Sequence, residues 1–140
     1  MARTVQVVID CADPGRLAEF WADALGYVLE PPPPGHASWP DFLLSIGVPE
    51  ELWNSRSAVV DPDGVGPRLF FQQVPEGKAA KNRLHLDVRV GGRGEGARAA
   101  IDAEATRLEA QGATRAWVRD EANEYFVVLR DPEGNEFCVT

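Results

Sequence analysis

Along residues 3 to 13, RTVQVVIDCAD, apolar and polar side chains alternate closely enough to predict a strand, with Val5, Val7 and Ile9 on one face and Gln6, Val8 and Asp10 on the other. The period then changes to that of a helix. In DPGRLAEFWADALG, Asp13 is placed to cap, Pro14 opens the first turn and Gly26 stops the element. Leu17, Phe20, Trp21, Ala24 and Leu25 form one apolar stripe, which assigns Trp21 to the core. PPPPG, residues 31 to 35, can continue neither a helix nor a central strand, so it is a stiff connector to a strand expected around WPDFLLSIG. Residues 48 to 67, rich in Pro, Gly, Asp and Ser, read as a long loop around ELWNS, and long loops in small domains often carry function.

RLFFQQV is the next predicted strand, and the polar turn PEGKAAKN returns the chain to another, RLHLDVRV. After GGRGEG, the segment ARAAIDAEATRLEAQG predicts an amphipathic helix with Ala97, Ala100, Ile101, Ala105 and Leu108 inward and Gly112 at its end. TRAWVRD, EYFVVLRD and EFCVT are three further strands, the last two joined by the turn residues DPEGN. The order is strand, helix, three strands, and then the same again. Superposing the halves pairs QVVID with HLDVR, the helix at 14 to 25 with that at 97 to 111, and GPRLFFQ with GNEFCVT. Gln6 then corresponds to His85 and Phe70 to Cys138. The expected fold class is α+β, built from two βαβββ modules, residues 1 to 76 and 82 to 140, within one domain of 140 residues.

Composition narrows the function. A chain of this length buries a hydrophobic core without a disulfide framework or structural metal, and two cysteines, Cys11 and Cys138, are too few for such a framework. With 14 basic and 22 acidic side chains the net charge is -8, which repels a phosphate backbone, so nucleic acid is not an expected partner. The same charge serves solubility and also suits a cationic small molecule. No apolar stretch approaches the roughly 18 residues of a membrane span, and the N-terminal residues lack a secretory pattern, so a cytoplasmic location away from membranes is expected.

Two βαβββ halves carrying DPGRLAEFWADALGY, KNRLHLDV and DPEGNEFCV resemble the vicinal oxygen chelate superfamily, which includes glyoxalase I, extradiol dioxygenases and bleomycin-resistance proteins, and resemble its glyoxalase-like branch most. The resemblance covers nearly the whole chain. It implies a concave, partly closed mixed sheet. In metal-using members, four His, Glu or Gln ligands come from the first and last strands of each half. Carried over, those positions are Gln6 and His85, then Phe70 (or Gln72, one pleat along) and Cys138, where the usual DP-x-GN-x-x-E ending has lost its glutamate. Of these only His85 is a first-rank ligand. Glu136, on the same face as Cys138, is a substitute, and no bound metal or other cofactor is expected.

His85 is open to two readings: a histidine hydrogen-bonded within the sheet beside Asp87, or a group aimed at a ligand as donor, base or metal ligand. Two functions follow. The first is a metal-poor pocket for a small aromatic or cationic molecule, with Gln6, Trp39, Trp53, Phe70, Gln72, Asp87 and Cys138 as contacts. The second is an enzyme of lyase, isomerase or oxygenase type acting on a small oxygenated metabolite, with His85 as base and Glu136 as acid or metal ligand. The missing ligands argue against glyoxalase I or extradiol dioxygenase chemistry. A homodimer is expected, with the loop bearing Leu52 and Trp53 at the pocket mouth or the interface.

Overall fold

The computed structural model describes residues 1 to 92 and 94 to 140. The chain divides into two compact units, Met1–Gly77 and Lys78–Thr140. The first runs β1 (Val7–Cys11), α1 (Pro14–Leu25), β2 (Val28–Leu29), α2 (Trp39–Ser45), a 3-10 turn (Glu50–Ser55), β3 (Arg56–Val60) and β4 (Leu69–Gln73). The second runs β5 (Asp87–Val88), α3 (Glu95–Ala110), β6 (Thr114–Glu121), β7 (Glu124–Arg130) and β8 (Glu136–Val139). Each unit folds its four strands into one mixed sheet, in the orders β1-β4-β3-β2 and β5-β8-β7-β6, so the α+β class and the βαβββ repeat hold.

The repeat extends to register. β1 pairs parallel with β4 so that Val8 lies opposite Phe70, and β5 pairs parallel with β8 so that Asp87 lies opposite Cys138. Those are equivalent positions when the two halves of the sequence are superposed. Each last strand is launched by the same device. Asp61, in DPDG, accepts from the backbone N–H groups of Asp63, Val65 and Gly66 at 2.9, 3.0 and 2.7 Å. Asp131, in DPEG, accepts from those of Glu133 and Asn135 at 2.9 and 3.0 Å. A short carboxylate at the start of the turn satisfies donors that a tight loop would otherwise leave unpaired.

One face of each sheet is covered by its helix. Leu17, Phe20, Trp21 and Ala24 of α1 are buried with Val59, Leu69 and Phe71 of the first sheet, against which α1 packs. Phe20 and Trp21 meet edge to face at 5.5 Å. In the second unit, α3 packs on β6, β7 and β8, burying Ile101, Ala105 and Leu108 with Val127, Leu129, Phe137 and Val139.

Three expectations are corrected. RLHLDVRV forms a strand only at Asp87–Val88, so His85 stands in the coil before it. WPDFLLSIG forms no strand: residues Trp39–Ser45 are a helix, because Ser38 accepts from the Asp41 N–H at 3.2 Å and Pro40 sits in the first turn, where its missing N–H costs nothing. Residues 48 to 67 are not one long loop. They contain the 3-10 turn and β3, whose Ala58 and Val59 are buried, and the turn-forming composition belongs to the flanks. With β2, the strands of the first module therefore come from different residues than the alternation suggested.

Asp13 ties this region to α1. It accepts from the Arg16 N–H at 3.2 Å and from Asn54 Nδ2 at 2.8 Å, and these bonds hold its carboxyl below the usual range. Asn54 also accepts from the Gly15 N–H at 2.8 Å. Asp13→Ala is expected to cost about 1–2 kcal/mol in urea unfolding at neutral pH, and Asp13→Asn, which can still cap, distinctly less.

Candidate functional site

In the second unit, pairing aligns side chains on the sheet face opposite α3. Asp87 lies opposite Cys138, Cys138 opposite Val128, and Val128 opposite Trp117, so one row crosses all four strands. His85, two residues before Asp87, completes its polar end: its Nε2 lies 3.7 Å from Asp87 Oδ1, and donor atoms of His85, Asp87 and Cys138 all fall within 4.8 Å of one another. His85 and Asp87 are about half exposed while Cys138 is buried. Burial, then the charge of Asp87 and a hydrogen bond to it, push the Cys138 thiol up to about 11. At neutral pH it is a thiol, not a ready nucleophile.

The other end of the row is aromatic. Trp117 is 48 % exposed and meets Phe126 edge to face at 5.6 Å. Strand alternation alone would place Trp117 on the same face as Arg115, which pairs with Glu109 of α3. A bulge between Arg115 and Trp117 breaks that alternation and turns the indole to the opposite side. Neither Trp117 nor Phe126 stands out in sequence reading, since a bulge leaves no period to detect.

Glu136 is engaged elsewhere. Its carboxylate accepts from the Asn82 N–H at 2.9 Å and pairs with Lys78 at 3.0 Å, and the Asn82 bond, followed by Lys78, holds its pKa down to about 2. A carboxyl so firmly ionised has no proton to deliver near neutrality, and it stands outside the three-donor cluster.

In the first unit, Gln6 and Phe70 are gathered by a residue that sequence reading missed, Arg68. Its guanidinium donates to Gln6 Oε1 at 2.8 Å, grips Glu30 at 2.6 and 2.9 Å and lies 5.2 Å from the centre of the Phe70 ring. Superposition of the halves makes Arg68 the counterpart of Glu136. Gln72 donates to Asp10 at 3.3 Å. The indoles of Trp39 and Trp53 donate to backbone carbonyls of Glu30 and Val48 at 2.7 and 3.0 Å, so both have local structural partners.

A family model described as a glyoxalase-like domain matches residues 6 to 140. The chain belongs to this family. Solved structures place the glyoxalase-like chain in the vicinal oxygen chelate fold. It is similar to a glyoxalase/bleomycin resistance protein/dioxygenase family enzyme from Burkholderia phytofirmans PsJN, at 18% identity over 99% of this chain and 97% of that one, with a TM-score of 0.65. It is also similar to the bleomycin-binding protein of Streptomyces verticillus in complex with copper(II)-bleomycin, at 15% identity over 100% and 96% of the two chains, with a TM-score of 0.55. A third similar structure is the fosfomycin resistance protein FosX of Listeria monocytogenes with manganese(II) and 1S,2S-dihydroxypropylphosphonic acid, at 8% identity over 99% and 89%, with a TM-score of 0.64. At such identities these glyoxalase-like relatives establish the fold alone. No curated protein matches the chain. Among the described residues, no helix is long and apolar enough to cross a membrane.

The Glu136 bonds carry a pH signature. Its pKa is depressed from 4.5 to about 2, so its stabilisation is present above 4.5 and is lost as the pH falls toward 2. Glu136→Gln is expected to lower stability by about 1–2 kcal/mol at neutral pH. In unfolding curves recorded down the pH scale, the gap from the parent protein should close across that interval.

Proposed function

We propose that the glyoxalase-like chain binds a small molecule with an aromatic ring and a cationic or hydrogen-bonding end on the second unit's sheet face. The supporting observation is the row itself. Trp117 and Phe126 offer ring faces, Val128 and Cys138 form the apolar floor, and Asp87 with His85 supplies an anionic, hydrogen-bonding end. Asp87 and Trp117 stand at opposite ends of the row, three strand spacings or about 14 Å apart, so the molecule that fits is elongated, with its ring on the indole and its cationic end at the carboxylate. In the first unit, the Gln6, Arg68 and Phe70 group is a polar and aromatic surface of its own.

The proton-transfer enzyme is the second reading. It draws on His85 beside Asp87, where the carboxylate can orient the imidazole. Glu136, ionised down to about pH 2, then orders the Asn82 backbone and does not act as the acid. A cytoplasmic homodimer accompanies both readings. Leu44, Ile46 and Leu52, all more than half exposed or at that level, are the apolar groups that such an interface would cover. Light scattering on the dimer would give twice the 15.3 kDa chain mass, and a strictly monomeric mass at micromolar concentration would refute it.

Titration with a quinoline bearing a trimethylammonium group on a hexyl chain, and with its neutral tert-butyl isostere, tests the binding reading. Indole fluorescence should be quenched more tightly by the cation, with a preference of about tenfold that Asp87→Asn removes. Trp117→Ala should weaken both ligands while leaving the unfolding midpoint nearly unchanged, because the side chain is half exposed. Equal affinity of the Trp117→Ala variant and the parent protein would remove the indole from the site.

A further inference from the structure

We propose that a second copy of this chain pairs with the outer edge of β6, antiparallel and centred on Val118, and so sets the partner's Arg119 beside Trp117 at the aromatic end of the row. The inference rests on the homodimer reading for its second copy and goes beyond it by naming the backbone that takes part. β6, eight residues long, ends the sheet order β5-β8-β7-β6 and among the described residues pairs only with β7. Glu121 and Glu124 pair across a two-residue turn, which makes them a hydrogen-bonded pair. By alternation the backbone N–H and C=O of Val118 and Asp120 then point away from β7. Such an edge is a template for another strand unless lysine, proline or a bulge blunts it. β6 has no lysine or proline, and its bulge lies ahead of Trp117, so the register from Trp117 to Glu121 is regular. The middle of the edge is apolar, with Trp117 48 % and Val118 41 % exposed.

Side chains select the register. In a two-fold antiparallel pair the central residue meets its own copy, and like charges placed opposite one another are unfavourable. Centring on Arg119 or on Asp120 sets each against itself, and centring on Trp117 sets Arg119 against the partner's Arg115. Only Val118 avoids this. There the two Val118 residues exchange backbone bonds, and Trp117 stands opposite the partner's Arg119, a cation beside a ring. Asp120 then falls opposite the bulge, next to the partner's Arg115. Arg115 and Asp120 share a face, since both pair with α3, through Glu109 and Arg98 respectively. Arg119 is steadied at the edge by Glu121 and Glu124, at 3.1 and 3.3 Å. Each of these contacts is made twice by symmetry. The aromatic end of the row is thereby completed by two chains, with a guanidinium there and the Asp87 carboxylate at the far end.

Sedimentation velocity over a concentration series, with cysteine cross-linking to fix the register, tests the pairing. Val118→Pro removes an outward N–H and leaves the β6–β7 ladder its bonds, while Val118→Lys sets charge against charge at the centre. Each should weaken dimerisation about tenfold or more, and circular dichroism establishes that each is folded, with Val118→Lys as the reserve if the proline variant is not. Oxidised Val118→Cys should cross-link to its own copy, because a hydrogen-bonded antiparallel pair holds its Cα atoms about 5.5 Å apart, within disulfide reach. Asp120→Cys should not, since its copies stand about four residues out of register, and the native Cys11 and Cys138 are buried. A monomeric parent chain would overturn this pairing together with the homodimer reading. A dimer that survives in both folded Val118 variants, no cross-link in Val118→Cys, or an equal one in Asp120→Cys would overturn the pairing alone. Loss of the dimer in Leu44→Asp, with the Val118 variants still dimeric, would likewise move the contact to α2.

Discussion

The parallel pairing of the first and last strands in each βαβββ unit governs every arrangement of functional interest. Because β5 and β8 run parallel in one register, Asp87 and Cys138 stand side by side although they are 51 positions apart in the chain, and His85, in the coil just before β5, comes within 3.7 Å of Asp87. The equivalent register of β1 and β4 sets Val8 against Phe70 and brings Gln6 within reach of Arg68. A slip of one residue in either pair would turn those side chains toward the helix and expose Phe137 or Phe71. The core therefore enforces the site. The buried faces of β4 and β8 fix which side chains remain for chemistry.

Electrostatics has diverged within this common frame. At matching positions the first unit carries Arg68, neutralised by Glu30, and the second carries Glu136, neutralised by Lys78. Each pair is anchored by an additional hydrogen bond, to Gln6 in one case and from the Asn82 backbone in the other. Neither is a loose surface pair of the kind that contributes little. Both position loops or strand ends beside the sheet face, which leaves the His85, Asp87 and Cys138 cluster as the less committed group.

Two devices show how local rules are reused and broken. DPDG at residues 61 to 64 and DPEG at residues 131 to 134 form equivalent aspartate-centred turns, with Gly64 and Gly134 at φ of +69 and +85°, where glycine is favoured. The bulge in β6 is the opposite case. It exchanges the faces of Arg115 and Trp117, giving Arg115 to Glu109 on α3 and the indole to the row with Val128. That single irregularity puts an aromatic surface in line with a carboxylate.

Much of the architecture was legible before any coordinates. The α1 stripe with Trp21 inside, the second helix, the strands around residues 68 to 74 and 114 to 140, and the twofold order follow from period and punctuation, because burial on one side of a helix or strand imposes its spacing directly on the chain. Residues 39 to 60 did not yield to it: Trp39–Ser45 has a helical cap but no buried residue to impose a period, and β3 buries two adjacent residues, Ala58 and Val59, so it shows no alternation. Tertiary structure alone decided which polar atoms meet. It committed Glu136 to Lys78 and the Asn82 backbone, gathered Gln6 and Phe70 around Arg68, turned Trp117 across a bulge, and set Asp87 beside Cys138. Such contacts depend on strand register and on partners distant in the chain, and no local spacing encodes either one.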